Sequence, residues 1–148
     1  MNDYNEEPTP VTRQLVPEDQ RLAVVEQLFG IHFPLRIEPV VYGITERMTR
    51  GQYRGGYWEF FVLDNGTAEL GFFMAPDDDK IFTVSCDNFW QGDLSTDALG
   101  ITACLYAFSH LSFSKNEAFA RTCAQHYHLL RAYMMDHDEV ASILGAID

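Results

Sequence analysis

Residues 53–76, which read YRGGYWEFFVLDNGTAELGFFMAP, decide the fold. From Tyr57 to Leu63 every residue except Glu59 is aromatic or aliphatic, which is typical of a strand with at least one buried face. The Asp-Asn-Gly sequence at 64–66 favours a turn, because Asn and Gly adopt positive φ at little cost. Leu70–Met74 is then the returning strand, and the proline that follows has no N–H to continue the ladder. These residues predict a β-hairpin that organises the rest of the chain.

A third strand is predicted from Ile81 to Cys86, after the short acidic connection Asp77-Asp78-Asp79. Three strands joined by short links form an antiparallel meander. Residues 88–93 are expected to form a loop that carries the aromatic pair Phe89-Trp90.

Four to five helices are expected around this sheet. Apolar spacing and end signals place them at about 17–29, 39–49, 98–113, 115–135 and 139–147. In the first of them Leu22 is expected to face inward, with Val25 and Phe29. The third is apolar nearly all round, as a helix buried on every side would be, and Ser95 or Thr96 can cap it. The sequence therefore predicts an α+β fold, with a small antiparallel sheet of about three strands packed against helices.

The chain is expected to form a single domain, residues 17–148, behind a flexible acidic lead, residues 1–16. The lead has three acids, two prolines and no apolar period. A chain of 148 residues is the usual length of one domain and buries roughly 70% of its unfolded surface.

The composition is that of a globular protein outside the membrane. Hydrophobic residues make up 47% of the chain, yet no apolar run approaches the roughly 20 residues of a membrane span. The polar, acidic start does not resemble a signal peptide. The three cysteines, Cys86, Cys104 and Cys123, form an odd and widely spaced set, which predicts reduced thiols in a cytoplasmic protein.

The charge is strongly negative, with 22 acidic residues against 10 Lys and Arg and a formal net charge of −12. Direct nucleic-acid binding is not expected, because such proteins carry basic patches. An acidic face could instead meet a basic partner, imitate DNA phosphates or simply be solvated. The candidate interaction surface consists of Asp77, Asp78, Asp79, Asp87, Asp93 and Asp97.

No catalytic, cofactor-binding or metal-binding residue is predicted. His126 and His128 lie two residues apart on a helix, about 200° around its axis, so both cannot face one ion. The acidic run at 77–79 lacks the ligand spacing of a calcium loop. Cys86 and His110 are the residues to watch for hydrolase chemistry, but no nucleophile elbow accompanies them. The hairpin aromatics are expected to be core residues, since a base-stacking platform needs cations around it.

Several blocks of sequence, in order, carry a resemblance to a known family. They are GGYWEFFVLDNG, GFFMAP, CDNFWQGDLSTDALGITACLYAFSHLSF, YHLLR and the closing AID. Together they resemble the ArdB/KlcA antirestriction family over residues 55–148. Thr67–Leu70 departs from the family's more direct passage between the Asn-Gly turn and the aromatic pair, which leaves the hairpin register open.

The resemblance implies a small acidic protein carried by plasmids and other mobile elements, and no cofactor. Members of the family protect incoming DNA from host type I restriction–modification enzymes, and they are inhibitors without known catalytic residues. The implied partner is a host type I enzyme, reached directly or indirectly. DNA mimicry, binding to a specific protein surface and indirect interference with DNA translocation all stay open. A small hydrolase built on Cys86 or His110 is the alternative from a different class.

Overall fold

The computed structural model describes residues 10–53 and 55–148. Within them the chain forms five strands in two sheets and five α-helices. The strands are β1 (Thr12–Leu15), β2 (Trp58–Asp64), β3 (Leu70–Pro76), β4 (Ile81–Ser85) and β5 (Gln91–Ser95). The α-helices are α1 (Arg21–Phe29), α2 (Glu38–Met48), α3 (Thr96–Leu111), α4 (Glu117–Met134) and α5 (Val140–Ile147). A 3₁₀ turn, Glu18–Gln20, precedes α1, and a π-helical turn, Phe33–Ile37, precedes α2. The α+β class is therefore confirmed.

The three-stranded sheet has a different membership from the one predicted. Its antiparallel order is β1-β2-β3, with β2 in the centre, whereas β4 pairs with β5 in a separate two-stranded sheet. The expected loop at 88–93 is therefore wrong in its second half, because β5 begins at Gln91. The residues of β5, QGDLS, include no aromatic or β-branched apolar side chain, and Leu94 is its one buried residue.

The strand β1 lies inside the segment that we expected to be a flexible lead. All four of its side chains are exposed, so no apolar period could reveal it. Its register against β2 pairs Thr12 with Asp64 and Leu15 with Phe61. Val16 is buried, and its N–H donates to the carbonyl of Phe60 at 2.8 Å. The folded part thus includes residues 12–16, while residues 1–9 of the lead lie outside the described residues.

The helix α3 is the centre of the core, as predicted. Its residues from Ala98 to Leu105 are all fully buried. The Ser95 side chain caps it by accepting a hydrogen bond from the Ala98 N–H at 3.2 Å, which satisfies one of the free donors of the first turn. Gly100 lets the helix approach β3 closely, since a Cβ there would lie 2.4 Å from the carbonyl oxygen of Met74. The helix packs on β3 on one side and on α2, α4 and α5 on others.

Five hairpin aromatics, from Trp58 to Phe73, are core residues as expected, whereas Tyr57 is 48% exposed. Phe60, Phe72 and Phe33 pack edge to face with ring centroids 5.4 to 5.6 Å apart. On the other face of the sheet Phe61 stacks on Phe73 at 4.7 Å. Such contacts stabilise by about 1 kcal/mol each beyond the area they bury.

Two details of the first half of the chain were open or wrong. The residues 65–69 form the link of the β2–β3 hairpin, and Asp64 pairs with Leu70 across it. The departure at Thr67–Leu70 therefore lengthens the turn without disturbing the register. Leu22 does not face inward: it is 84% exposed in the first turn of α1, and the buried residues of that helix are Val25 and Phe29.

Candidate interaction surface

The acidic connection between β3 and β4 projects its side chains into solvent. Asp77, Asp78 and Asp79 are all exposed. Their backbone is nevertheless fixed, since the Asp77 N–H donates to the Tyr57 carbonyl at 2.8 Å and the Thr96 hydroxyl donates to the Asp78 carbonyl at 2.6 Å. The connection is thus a firmly held acidic corner, and within the described part of the chain its one salt-bridge contact is Lys80 at 3.7 Å from Asp78.

Two other acids of the predicted surface have local partners. Asp87 lies 3.5 Å from Arg47, with both side chains mostly exposed. A pair of this kind contributes little to stability. Asp93 on β5 accepts a hydrogen bond from the Thr83 hydroxyl on β4 at 2.9 Å. Asp87 and Asp93 therefore decorate the β4–β5 hairpin and remain exposed.

Asp97 differs from the other five, because its carboxylate is engaged within the molecule. Arg13 on β1 contacts one of its oxygens at 2.5 Å, and His137 Nε2 contacts the other at 2.8 Å. Burial opposes ionisation of this carboxyl group, but the hydrogen bonds from His137 and Arg13 outweigh it and lower its pKa. The Asp97 carboxylate is less available to a partner than the exposed acids.

The ion pair is the centre of a wider polar network. The Glu139 N–H donates to His137 Nδ1 at 3.0 Å, and the Ser95 N–H donates to Glu139 Oε1 at 2.9 Å. The Ser95 hydroxyl also donates to the Glu139 carboxylate. The network fastens β1, the start of α3 and the segment between α4 and α5 to one another.

A cleft opens beside the acidic corner, and sequence reasoning did not find it. Its volume is about 600 Å³, and its lining includes Tyr42, Glu46 and Tyr53 together with Gly55 and Gly56. An adjoining space of about 190 Å³ shares the two glycines and extends to the acidic corner. The signal in the sequence is the adjacent pair Gly55 and Gly56, directly before the aromatic run of β2.

The two tyrosines that line the cleft, Tyr42 and Tyr53, pack on the buried Trp58 behind them. Trp58 packs edge to face on Tyr42 and on Tyr53, with centroid distances of 5.3 and 5.5 Å. The Trp58 indole N–H donates to the Tyr53 hydroxyl. Burial, reinforced by Glu38, raises the pKa of Tyr42 to about 12, so its phenol stays protonated. Arg21 donates to the Trp58 carbonyl, and its guanidinium lies 4.4 Å from the ring centroid of Tyr57. The two tyrosines can offer aromatic faces and hydroxyl groups to a ligand.

The residues watched for hydrolase chemistry are not brought together as a nucleophile and base. Cys86 is buried, and burial raises the pKa of its thiol, which disfavours the reactive thiolate. Cys104 and Cys123 are also buried free thiols, and burial raises the pKa of each to about 12. His110 is exposed near the end of α3, where the neighbouring Ser112 hydroxyl donates to a backbone carbonyl.

The two helical histidines lie on opposite sides of α4. His126 is buried against Phe29 and Phe108, and burial lowers its pKa to about 4. His128 is exposed. In the described part of the chain no group of three or more His, Cys, Asp or Glu side chains is arranged to hold a metal ion. Within the same residues no helix is long and apolar enough to cross a membrane.

Comparison with known proteins gives the same family by sequence and by structure. The family model described as antirestriction protein matches residues 51–148. The antirestriction protein KlcA of Escherichia coli is 37% identical over 147 residues, covering 97% of this chain and 99% of KlcA. The protein YafX of E. coli K12 is 39% identical over 137 residues, covering 90% of this chain and 85% of YafX.

A solved structure agrees over nearly the whole molecule. It comes from work on the KlcA and ArdB proteins, described as having a novel fold and antirestriction activity against type I DNA restriction systems in vivo but not in vitro. It is 37% identical, has a TM-score of 0.84, and covers 97% of this chain and 99% of the solved one. The chain therefore belongs to the antirestriction protein family.

Proposed function

We propose that this protein acts in the cytoplasm to protect incoming plasmid or mobile-element DNA from a host type I restriction–modification enzyme. The observation that carries the proposal is the match to the KlcA/ArdB structure, which extends over almost all of both chains at 37% identity. A match of that extent leaves no large insertion or missing element in which a different activity would reside.

The protein acts without catalysis. A covalent mechanism needs a nucleophile activated by a base within hydrogen-bond reach. Cys86, the strand-end thiol, is buried with a raised pKa, and His110 is exposed on a different element. These observations support inhibition by binding.

Binding to a protein surface explains the charge distribution better than DNA mimicry does. Duplex DNA carries one charge per about 1.7 Å of its axis, so a mimic needs a long, dense row of free carboxylates. Here Asp97 is occupied by Arg13 and His137, and Asp87 is next to Arg47. Asp77, Asp78 and Asp79 form a short corner at one connection. The acidic residues are more suitable as the rim of a protein contact.

The protein acts on a target that is present in the cell but missing from an assay with the purified restriction enzyme. The KlcA and ArdB work is described as finding activity in vivo but not in vitro. A simple inhibitor of the purified enzyme would be active in both settings. We therefore place the action of this protein on a cellular assembly, such as the enzyme during DNA translocation or a host factor that accompanies it.

The direct test is the plating efficiency of unmodified phage on a host with an active type I system, with and without this protein. We expect a rise of at least about tenfold, and no rise in a host that lacks the system. Purified enzyme should cleave DNA normally in the presence of the protein and be inhibited when host extract is added. Absence of the rise in plating would refute the proposed function.

The acidic corner can be tested separately. The triple variant Asp77→Asn, Asp78→Asn, Asp79→Asn removes three charges from the proposed rim. A matched control removes three exposed acids elsewhere: Glu26→Gln, Glu69→Gln and Asp136→Asn. We expect protection to fall several-fold for the corner and to persist for the control. Equal protection by both variants would show that the corner takes no part in binding.

A further inference from the structure

The most exposed large apolar side chain among the described residues is Phe89, at the tip of the β4–β5 hairpin. It is 93% exposed. Its φ is +71°, and of the described residues other than glycine only Arg50 shares a positive φ. A bulky side chain with a left-handed backbone is uncommon, because its Cβ crowds the following carbonyl.

The geometry of the β4–β5 turn requires the positive φ at position 89. The Phe89 N–H donates to the Cys86 carbonyl at 3.0 Å, and the Cys86 N–H donates to the Trp90 carbonyl at 2.9 Å. This is a three-residue hairpin link with a left-handed third position, which glycine normally occupies. Phe89 gains almost no burial there in return. Gly or Asn at this position would give a more stable fold.

The residues on either side hold Phe89 in place. The Asn88 side chain donates to the carbonyls of Gly145 and Ala146 in α5, at 3.0 and 3.2 Å, and accepts from the Trp90 N–H at 3.0 Å. Trp90 fills the space left by two glycines: a Cβ at Gly145 would lie 2.4 Å from its Nε1, and one at Gly92 would lie 2.6 Å from its ring. The tip is therefore fixed before any partner arrives, which reduces the entropy lost on binding.

We propose that Phe89 is the anchor with which this protein enters an apolar pocket, edged by Lys and Arg, on a protein of the type I restriction assembly. The pocket must be apolar because a rigid aromatic side chain contributes to binding mainly when it is fully desolvated. Its edge must be basic because the whole protein carries a net charge of −12 and Asp87, next to the tip, stays mostly exposed beside Arg47. The inference rests on the proposed antirestriction function and names the contact that performs it.

A protein pocket fits the tip better than a nucleic acid does. An aromatic side chain that stacks on bases needs cations near it to hold the phosphates. Among the described residues Arg47 lies 3.5 Å from Asp87, the neighbour of the tip, and that pair has no net positive charge with which to hold a phosphate. The acidic residues would repel a phosphate backbone and attract Lys and Arg side chains.

The first test compares two exposed phenylalanines. Phe89→Asn removes the aromatic ring and introduces a residue that tolerates the left-handed backbone. Its control, Phe113→Asn, removes an aromatic ring that is 86% exposed just after α3. We expect Phe89→Asn to lose at least about tenfold of the phage-plating protection while its melting temperature stays equal or rises. Phe113→Asn should keep full protection, and Phe89→Trp should retain most of it. Full protection by Phe89→Asn, or equal losses for both Asn variants, would overturn the inference.

The second test is independent of protection. A photoreactive phenylalanine analogue is placed at position 89 or at position 113, and the cells carry an active type I system. We expect position 89 to cross-link to a subunit of the restriction enzyme and position 113 not to do so. Cross-linking of position 89 to DNA, or to no subunit of the enzyme, would contradict the proposal.

The two tests distinguish failure of the proposed function from failure of the Phe89 contact. If the wild-type protein gives no rise in plating, the proposed function fails, and the cross-link alone decides whether Phe89 contacts the enzyme. If the wild type protects and Phe89→Asn protects equally, the function stands and the anchor is refuted.

Discussion

The two hairpins of this protein solve the same turn problem in opposite ways. The β2–β3 link puts Gly66, with φ +86°, at its left-handed position, and its polar side chains satisfy the turn locally. The β4–β5 link puts Phe89 at its left-handed position and relies on α5, 57 residues away from Asn88, to hold it. The first turn is what folding alone favours. The second has a residue that costs stability, so its value lies outside the fold.

Both hairpins are docked on a helix through a glycine, but the contacts differ in what they can tolerate. A Cβ at Gly100 in α3 would meet the backbone of β3, 2.4 Å from the Met74 carbonyl oxygen. A Cβ at Gly145 in α5 would meet the Trp90 side chain, 2.4 Å from Nε1. A backbone in the centre of a core cannot move away, whereas a partly exposed indole can.

The largest effect is therefore expected for Gly100→Ala. The added methyl must push α3 and β3 apart, which we expect to lower the free energy of unfolding by about 3 kcal/mol. Urea denaturation followed by circular dichroism measures this. Helix propensity alone would give the opposite sign, a gain of about 1 kcal/mol for replacing glycine.

Gly43→Ala in α2 is the matched control. Gly43 is exposed, and a Cβ there would meet nothing within 4 Å. We expect it to raise the free energy of unfolding by up to about 1 kcal/mol, through helix propensity. If Gly100→Ala stabilised the protein as Gly43→Ala does, the close packing of α3 on β3 would be wrong.

Gly145→Ala should have the next largest effect. The new methyl group must displace the Trp90 side chain from α5. We expect this to lower the free energy of unfolding by about 1 to 2 kcal/mol, partly offset by the helix propensity of alanine. In a Trp58→Phe background, Trp90 is the single tryptophan, and its fluorescence should shift to the red as it becomes more exposed. An unchanged emission spectrum would mean that Trp90 does not pack against Gly145 of α5.

The same contrast explains what could be predicted from the sequence. The β2–β3 hairpin was predicted because its aromatic run and its Asp-Asn-Gly turn are local signals that agree. The helix α3 was predicted because its residues are apolar all round. The strands β1 and β5 were missed, since β1 buries no side chain and β5 buries only Leu94. Both depend on a pairing partner and not on their own composition.

The candidate site divides in the same way. The sequence could name the acidic residues, but not their partners. Arg13 contacts Asp97 from 84 residues away, and His137 does so from 40 residues away. Likewise the positive φ of Phe89 follows from the β4–β5 pairing, which the sequence did not reveal. Contacts between residues this far apart in the sequence are determined by the tertiary structure.

A smaller pair of effects tests the two turns directly. Gly66→Ala should lower the free energy of unfolding by about 1 kcal/mol, because alanine is strained at positive φ. Phe89→Asn should raise it by about 0.5 kcal/mol, because asparagine tolerates the left-handed region better. Thermal denaturation of both variants checks the signs. A loss of stability in Phe89→Asn would mean that Phe89 serves the fold after all.

The smallest expected effect on stability concerns the polar network around Asp97. In it Arg13, on β1 of the larger sheet, contacts Asp97, two residues after the end of β5. The hydrogen bond with Asp97 raises the pKa of His137 above its ordinary 6.5. A group with a raised folded pKa stabilises fully below its unfolded pKa, and that stabilisation is lost as the pH rises through the folded pKa. The contribution of His137 should therefore fall by a few tenths of a kcal/mol between about pH 6 and pH 8, against a rise over the same range from His126, whose folded pKa is lowered to about 4.

His137→Gln should remove this falling contribution, so that the free energy of unfolding rises more steeply with pH than in the wild type, while His128→Gln, which changes an exposed histidine, should keep the wild-type slope. Denaturation at several pH values measures the slope for each variant. The effect is small because Nδ1 of His137 accepts a hydrogen bond from the Glu139 N–H, and a proton on Nδ1 would replace that bond. The carboxylate of Asp97 and the N–H of Glu139 thus favour opposite protonation states. A shallower rise in His137→Gln than in the wild type would show that the Glu139 hydrogen bond outweighs the ion pair.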